Sequence, residues 1–488
     1  MRPRLFPSLP LLVAVGLAGC ALSPPPRPDE IQAQALSHVA VPAAWSASGG
    51  AHGAVAADWL ATFGDPQLDA LVREALEYND DLRVAAARVE QAAGYAKLAG
   101  SSIYPAVNLL AHGGGKFGDA SGLNILGLFA NWELDIWGRA RAEREAGAEQ
   151  YASAVYDAVY ARQSIAAMVA KSWILAIEAR LQRTIADDIV RSSEQAVSLA
   201  GDRLRVGQGD EYDVALAQAN LETARDAARQ LALGFEQALR ALETLVGRYP
   251  AAVVDVPVAL PAMPGPVPVG LPSELLERRP DIIASQRRVD AAFYKVSEAK
   301  AARLPKIALT ANVTRITSDM LLLQDHSNPV ASLGANLLAP IFQGYALAAQ
   351  VDIRTAEQKL AIADYGRIAT RAFGEVEAAL SAGFAADERE AILARAVASN
   401  GRTLELAQVR FRVGSGDLRA VLQQNVALYG ARTALLLVQS ERLVQRVNLY
   451  LALGGGFEAP PTDASNAGTD RDEVRAAAMH ADGSAAPR

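Results

Sequence analysis

The chain has 488 residues, a formal net charge of −7, and 51% hydrophobic but only 6% aromatic residues. No Lys/Arg cluster stands out against that acidic balance, so nucleic-acid binding has no electrostatic footing. The apolar fraction is swollen by alanine, which suits long, closely packed helices better than one large globular core.

At the N-terminus Arg2 and Arg4 precede an apolar run, Leu9 to Leu17, that is too short and wrongly flanked for a membrane-spanning helix. Leu17-Ala18-Gly19-Cys20 then reads as a lipobox, with residues 1–19 a cleaved leader and Cys20 the lipid-bearing first residue. An ordinary signal peptide that happens to hold a cysteine is the alternative. Cys20 is the only cysteine, which excludes internal disulfides. Ala21 follows it rather than Asp, which favours sorting to the outer membrane. The Pro/Ala/Ser-rich stretch that follows predicts an extended tether over residues 20–57. Beyond Cys20 no run of about 18 apolar residues lacks charge, so no transmembrane helix is expected.

From Leu68 to Tyr104 the apolar residues recur at three and four, which predicts a helix that Pro105 stops. Alternation of period two follows, with Leu128, Ala130, Trp132, Leu134 and Ile136 facing one way and Asn131, Glu133 and Asp135 the other. A weaker alternation at Val107, Leu109 and Ala111 precedes it, so strands are expected at about 105–116 and 123–137. Phe117, Phe129, Trp132 and Trp137 are candidate membrane-interface anchors, Trp137 equally a core residue at the strand–helix junction. A proline-free helical stretch from Arg139 to Val206 comes next, roughly 100 Å at 1.5 Å per residue. Gly207 ends it, Asp210 caps a returning helix to Val246, and residues 248–272 form a proline-rich linker.

The same series then repeats. Leu76-Glu77, Asp81, Arg88-Val89 and Pro105 return as Leu276-Glu277, Asp281, Arg288-Val289 and Pro305. Arg203, Arg205-Val206-Gly207 and Gly209-Asp210 return as Arg410, Arg412-Val413-Gly414 and Gly416-Asp417, seven residues later than the first offset requires. The architecture is therefore a duplicated unit: residues 58–247, then 273–457, with second-copy strands at about 305–317 and 330–342 and a disordered tail over 458–488. Helix lengths close if Asp210–Val246 stacks end to end on Ser273–Leu304, and Asp417–Leu453 on Leu68–Tyr104.

Strands of this length suit a tilted bilayer crossing, but four strands with open edges leave backbone groups unpaired in hydrocarbon. Closure needs further copies. Two give eight strands and a filled interior, three give twelve and begin to leave a lumen. A membrane barrel continued by helices of periplasmic length is a conduit.

Trp59-x3-Phe63-Gly64-Asp65-Pro66-x-Leu68-x2-Leu71-x3-Ala75-Leu76-x2-Asn79-x-Asp81-Leu82 resembles the opening of TolC-type outer-membrane efflux proteins. Val447-Asn448-Leu449-Tyr450-x-Ala452-Leu453-Gly454-Gly455-Gly456-Phe457 is similar to the closing motif of their lipoprotein (OprM/NodT-like) branch. The resemblance implies a homotrimer with a twelve-stranded outer-membrane barrel over an all-α, twelve-helix periplasmic barrel. It implies a passive exit duct served by a periplasmic adaptor and an inner-membrane pump, of the RND type, with no cofactor. Its adaptor-facing tips correspond to Arg205, Val206, Gly207, Gln208, Gly209 and Asp210, and to Arg412, Val413, Gly414, Ser415, Gly416 and Asp417. Capping alone also accounts for the Gly and Asp residues there. The branch constricts its closed end with an apolar residue and then an aspartate; here those positions hold Arg419 and Gln423. A ring of Arg419 side chains repels itself unless carboxylates such as Asp417 screen it.

Two other readings compete. An enzyme has little to stand on: His38, His52, His112, His326 and His480 are scattered without metal-ligand spacing, and no Gly-x-Ser-x-Gly, Walker loop or cysteine nucleophile follows Cys20. A lipid-anchored periplasmic helical scaffold explains Cys20 and the helices, but not four segments of bilayer-length alternation.

Overall fold

A computed structural model describes residues 25–47, 58–113, 123–318 and 330–456. The chain divides into two compact units, each built from both repeats. The first gathers the chain up to Ala40, Ala87–Asp157 and Asp281–Ile368; the second gathers Val41–Ala86, Ala158–Pro280 and the chain from Ala369.

In the first unit β1 (Ala106–His112), β2 (Leu123–Leu134), β3 (Lys306–Ser318) and β4 (Val330–Leu338) form one antiparallel sheet in that order. Register sorts the side chains into two faces, because neighbours across a ladder point the same way. Leu109 lies opposite Leu128, Leu128 opposite Val313, and Ala311 opposite Leu333. That face also carries Val107, Leu126, Trp132, Leu309 and Leu337, and it is open, with Leu333 89% and Leu337 70% exposed. The other face carries Asn108, Asn131, Glu133, Thr310, Asn312, Ser332 and Asn336. Phe129 pairs with Asn108 and Asn312, so this aromatic belongs to the polar face.

The inner strands are the long ones, 12 and 13 residues, whereas the edge strands β1 and β4 have 7 and 9. β4 stops at Leu338, short of the expected 342, because Pro340 has no N–H to give a ladder; residues 114–116 of the first expected strand lie outside the described residues. β2 stops at Leu134 because Asp135 turns to cap the following helix, accepting from the Ala140 and Arg141 amides at 3.0 Å each. Trp137 therefore lies past the strand, its Nε1 donating to Pro305 O at 2.6 Å, while Trp132 Nε1 donates to Ile103 O at 2.8 Å. Phe117 lies outside the described residues.

The helices are α1 (Pro28–Ala35), α2 (Pro66–Tyr78), α3 (Asp80–Ser101), α4 (Arg139–Arg205), α5 (Glu211–Leu245), α6 (Leu275–Arg278), α7 (Pro280–Ala301), α8 (Ala346–Arg412) and α9 (Leu418–Ala452). The duplication extends to length: α4 and α8 each have 67 residues, α5 and α9 each 35. No helix of the described residues is long and apolar enough to cross a membrane.

Three expectations change. The helix expected from Leu68 to Tyr104 is two helices, broken at Asn79 (ψ 127°), whose Oδ1 accepts from the Leu82 amide to start α3. Arg279 (ψ 124°) breaks the second copy at the matching place, where Pro280 bars the preceding residue from helical geometry.

Those breaks receive the returning helices, and they do so within each copy rather than across copies. Asn79 Nδ2 donates to Leu245 O at 2.8 Å, and a Cβ on Gly247 would meet Tyr78 O at 2.7 Å. Arg279 Nη1 donates to Ala452 O at 3.1 Å and to Glu375 Oε2 at 2.7 Å, and Gly454 abuts Arg279. The end-to-end pairing drawn from helix lengths alone is therefore corrected. The start of the first copy and the end of the second do meet, by stacking of Trp59 on Tyr450 at 5.5 Å.

The tether is not extended throughout. In the first unit α1 buries Ile31 and sits so close to α8 that a Cβ on Gly366 would meet Ala35 O at 2.8 Å. Burial drives the neighbouring Tyr365 hydroxyl up to about 12. In the second unit Glu377 accepts from the Ser46 and Ala47 amides at 2.7 Å each, and Trp45 packs on Phe373.

The linker begins on a buried carboxylate. Glu243 accepts from the amides of Ala252, Val253 and Val254 at 2.6, 2.7 and 3.2 Å. Burial opposes its charge, but those amides and nearby Arg248 outweigh it and hold the carboxyl below its ordinary value of 4.5. A depressed carboxyl stabilises the fold above the unfolded value and loses that contribution as pH falls through the folded one. Glu243→Gln puts an amide donor against a backbone donor, and we expect a loss of about 2 kcal/mol at neutral pH. Melting curves of the variant and parent should converge below the carboxylate range; a gap unchanged by acid contradicts the assignment.

Candidate functional site at the helix reversals

Both reversals lie in the second unit and are built alike. Leaving α4, the Gly207 amide donates to Leu204 O at 3.0 Å and the Gln208 amide to Arg203 O at 2.8 Å. Leaving α8, the Gly414 amide donates to Phe411 O at 3.1 Å and the Ser415 amide to Arg410 O at 2.9 Å. This paired bonding ends a helix on a left-handed residue, and Gly207 and Gly414 hold φ of +74° and +81°. Gly209 and Gly416 are needed for space: a Cβ there would lie 3.1 and 3.0 Å from the Arg203 and Arg410 Cβ atoms, with helix backbone just behind. Asp210 and Asp417 then cap α5 and α9, accepting from the Asp213 amide at 2.9 Å and the Ala420 amide at 2.7 Å.

With caps and glycines committed to the turn, the outward chemistry falls to the remaining residues. Val206 and Val413 are 67% and 72% exposed, an unusual place for an apolar side chain. Arg205, ion-paired with Asp202 at 3.0 Å, and Arg412, Gln208 and Ser415 are exposed beside them.

One side chain clasps the two tips together. Arg203 Nη1 donates to Phe411 O at 2.9 Å and Nη2 to Gln208 O at 3.0 Å, with the guanidinium 4.6 Å from the Phe411 ring centroid. Phe411 is in turn buried with Ala200, Ala217, Leu404, Leu418 and Leu422, a cluster drawn from all four helices. In the sequence Arg203 and Arg410 are only marks of the duplication. The signal for the clasp is the unequal neighbour, Leu204 in one copy and buried Phe411 in the other.

Arg419 and Gln423 lie at the start of α9 and are both exposed. Among the described residues no ion pair joins Arg419 to Asp417, whose carboxylate is occupied by the Ala420 amide. Arg419 Nη2 donates instead to Tyr212 Oη at 2.9 Å, and its guanidinium stands 5.7 Å from that ring's centroid. Tyr212 was not singled out by any motif, yet it holds the position in copy one that Arg419 holds in copy two. Cys20, His52, His326 and His480 lie outside the described residues. Among the described residues no cluster of His, Cys, Asp and Glu could hold a metal ion.

The family model described as Outer membrane efflux protein matches residues 71–248 and 271–455, nearly the whole of both copies. The pyoverdine export outer membrane protein OpmQ of Pseudomonas aeruginosa is 30% identical over 470 residues, covering 93% of this chain and 97% of that protein. The cation efflux system protein CusC of Escherichia coli is 28% identical over 462 residues, covering 92% of this chain and 99% of that protein. Among solved structures, the open state of the Neisseria gonorrhoeae MtrE outer membrane channel superposes with a TM-score of 0.76 at 28% identity, over 90% of this chain and 98% of that one.

Arg203→Lys keeps the charge but loses the fork that holds two carbonyls at once. Amide hydrogen exchange over 206–210 and 411–417 should quicken roughly tenfold, with the sheet unchanged. Unchanged exchange at both tips would show that the clasp contributes nothing.

Proposed function

The chain belongs to the outer membrane efflux protein family, and from that premise we propose how its parts serve the task. It is an outer-membrane exit duct of a tripartite efflux system and conducts substrates delivered from below. The observation that carries the proposal is the sheet: apolar on one face, polar on the other, open at both edges, and joined to two hairpins of 67- and 35-residue helices.

Three copies close the sheet into a twelve-stranded barrel with the apolar face toward lipid. The polar face, with Asn108, Asn131, Glu133, Thr310, Asn312 and Asn336, then lines the lumen. It is chiefly amide and hydroxyl, a surface that wets a pore without selecting one charge. Cargo identity accordingly rests with the pump, and relatives named for pyoverdine export and for cation efflux are compatible with a common duct. No nucleotide-binding motif accompanies the fold, so the energy comes from an inner-membrane pump, of the RND type in this reading.

Residues 1–19 serve as the leader, and Cys20 carries acyl chains that hold the 20–57 segment at the outer membrane. The tips 205–210 and 412–417 face a periplasmic adaptor, with Val206 and Val413 as apolar contacts and Gln208 and Ser415 as polar ones. Arg419, linked to Tyr212, ties the two returning helices together at the closed end, with Gln423 one turn further on.

A photo-crosslinker at Gln208 or Ser415, in the native host, tests the docking role. Covalent capture of an adaptor, identified by mass spectrometry and joined by its pump on gentle extraction, is the expected result. Capture of only this chain or of cell-wall proteins, in cells shown to express candidate pumps, contradicts it and favours a periplasmic scaffold.

A further inference from the structure

The chain pairs its repeats with each other once and leaves the equivalent pairing undone. β2 of the first copy lies against β3 of the second, from Leu123 opposite Ser318 to Leu134 opposite Ile307. Among the described residues the outer edges of β1 and β4 carry no strand. If copies close into a ring, β4 must receive β1 of the next chain, and the duplication says in which register.

Two offsets relate the copies. Ala106 pairs with Asn131 and Lys306 pairs with Leu338, so β1 maps onto β3 by 306 − 106 = 200 and β2 onto β4 by 338 − 131 = 207. The seven extra residues thus fall in the connection between the paired strands. Applying both offsets to the β2·β3 ladder turns Asn131 opposite Thr310 into Leu338 opposite Leu110. Likewise Ala130 opposite Ala311 becomes Leu337 opposite Ala111, and Leu134 opposite Ile307 becomes Ile341 opposite Val107.

We propose that β4 of one copy pairs antiparallel with β1 of a second copy in this register, with Leu338 facing Leu110 and Leu337 facing Ala111. The proposal rests on the trimeric reading above and supplies the seam that reading lacks. Three features of the chain agree with it.

The first is facial continuity. The translated register sets Leu337, Ala339 and Ile341 against Ala111, Leu109 and Val107, so the apolar face crosses the seam unbroken. A slip of one residue would set that face against the polar one. The second concerns the polar face, where Leu110 and Leu338 are apolar exceptions on the two edge strands. The register places them opposite each other, whereas a slip of two sets Leu338 against Asn108 or His112. The third is length. β2 continues to Leu134 on β3 alone, beyond its last β1 partner at Asn131. The matching residues of β4, Ala339 to Ile341, lie outside any strand, and Ile341 is 92% exposed. Pro340 has no N–H to give a ladder, so the neighbour the register provides acts there on Ala339 and Ile341.

Double cysteine variants test it in the full chain, in outer-membrane preparations treated with a mild oxidant. Adjacent antiparallel pairs alternate between narrow and wide spacing, so two correct pairs are used: Leu338→Cys with Leu110→Cys, and Leu337→Cys with Ala111→Cys. Controls combine Leu338→Cys with Asn108→Cys or His112→Cys, and the parent chain reports any bond through Cys20. At least one correct pair should give covalent trimers on a denaturing gel several-fold faster than either control. Faster bonding in a control pair, or none in any pair, overturns the register. The mass of the unoxidised particle in detergent is measured alongside: three copies with a wrong pair refute the register alone, and any other number refutes the trimeric reading with it.

Discussion

Backbone hydrogen bonding at the sheet's two edges is the constraint on which the rest depends. An amide or carbonyl left unpaired in hydrocarbon costs several kcal/mol, and β1 and β4 each present a full row of them. Yet the apolar face, from Val107 to Leu337, is as unsuited to water as those edges are to lipid. The four described strands of one chain do not relieve both. Closure on further copies relieves both at once, buries the edges and leaves the polar face around a lumen. Oligomerisation is then a condition for crossing the membrane at all.

The second unit answers a similar problem at its helix reversals. Four helices converge where the chain reverses, and the last carbonyls of α4 and α8 and the first amides of α5 and α9 need partners. Schellman-type bonding at Gly207 and Gly414, capping by Asp210 and Asp417, and the Arg203 fork on the carbonyls of Gln208 and Phe411 supply them. What remains exposed is short and repeated: two valines, two arginines, one glutamine and one serine. The two tips of a chain therefore present nearly the same surface.

Much of this was legible in the sequence because duplication amplifies weak signals. Alternation around Val107 is faint alone and convincing beside Ile307 to Val313; glycine and aspartate at 207–210 become a motif when 414–417 repeats them. Breaks within a helix were less legible. Pro280 marks Arg279, but nothing as strong marks Asn79, and only the comparison of copies reveals that both sites must end a helix. The stacking of helices was misread because length cannot tell which ends meet. Asn79 with Leu245 and Arg279 with Ala452 are tertiary contacts, and no periodicity encodes them. The clasp was hidden for the same reason: Arg203 is an ordinary surface residue until Phe411, about two hundred positions away, is brought beneath it.

The most direct test of a sheet that crosses the outer membrane is reached from outside the cell. A cysteine at Asn124, in β2, or at Gln324, in the sequence between β3 and β4, is probed in intact cells with a membrane-impermeant maleimide, the parent chain serving as the blank for Cys20. Labelling in whole cells, to the extent seen after the outer membrane is broken open, is the predicted result. Labelling only after disruption would place these turns in the periplasm and contradict the account.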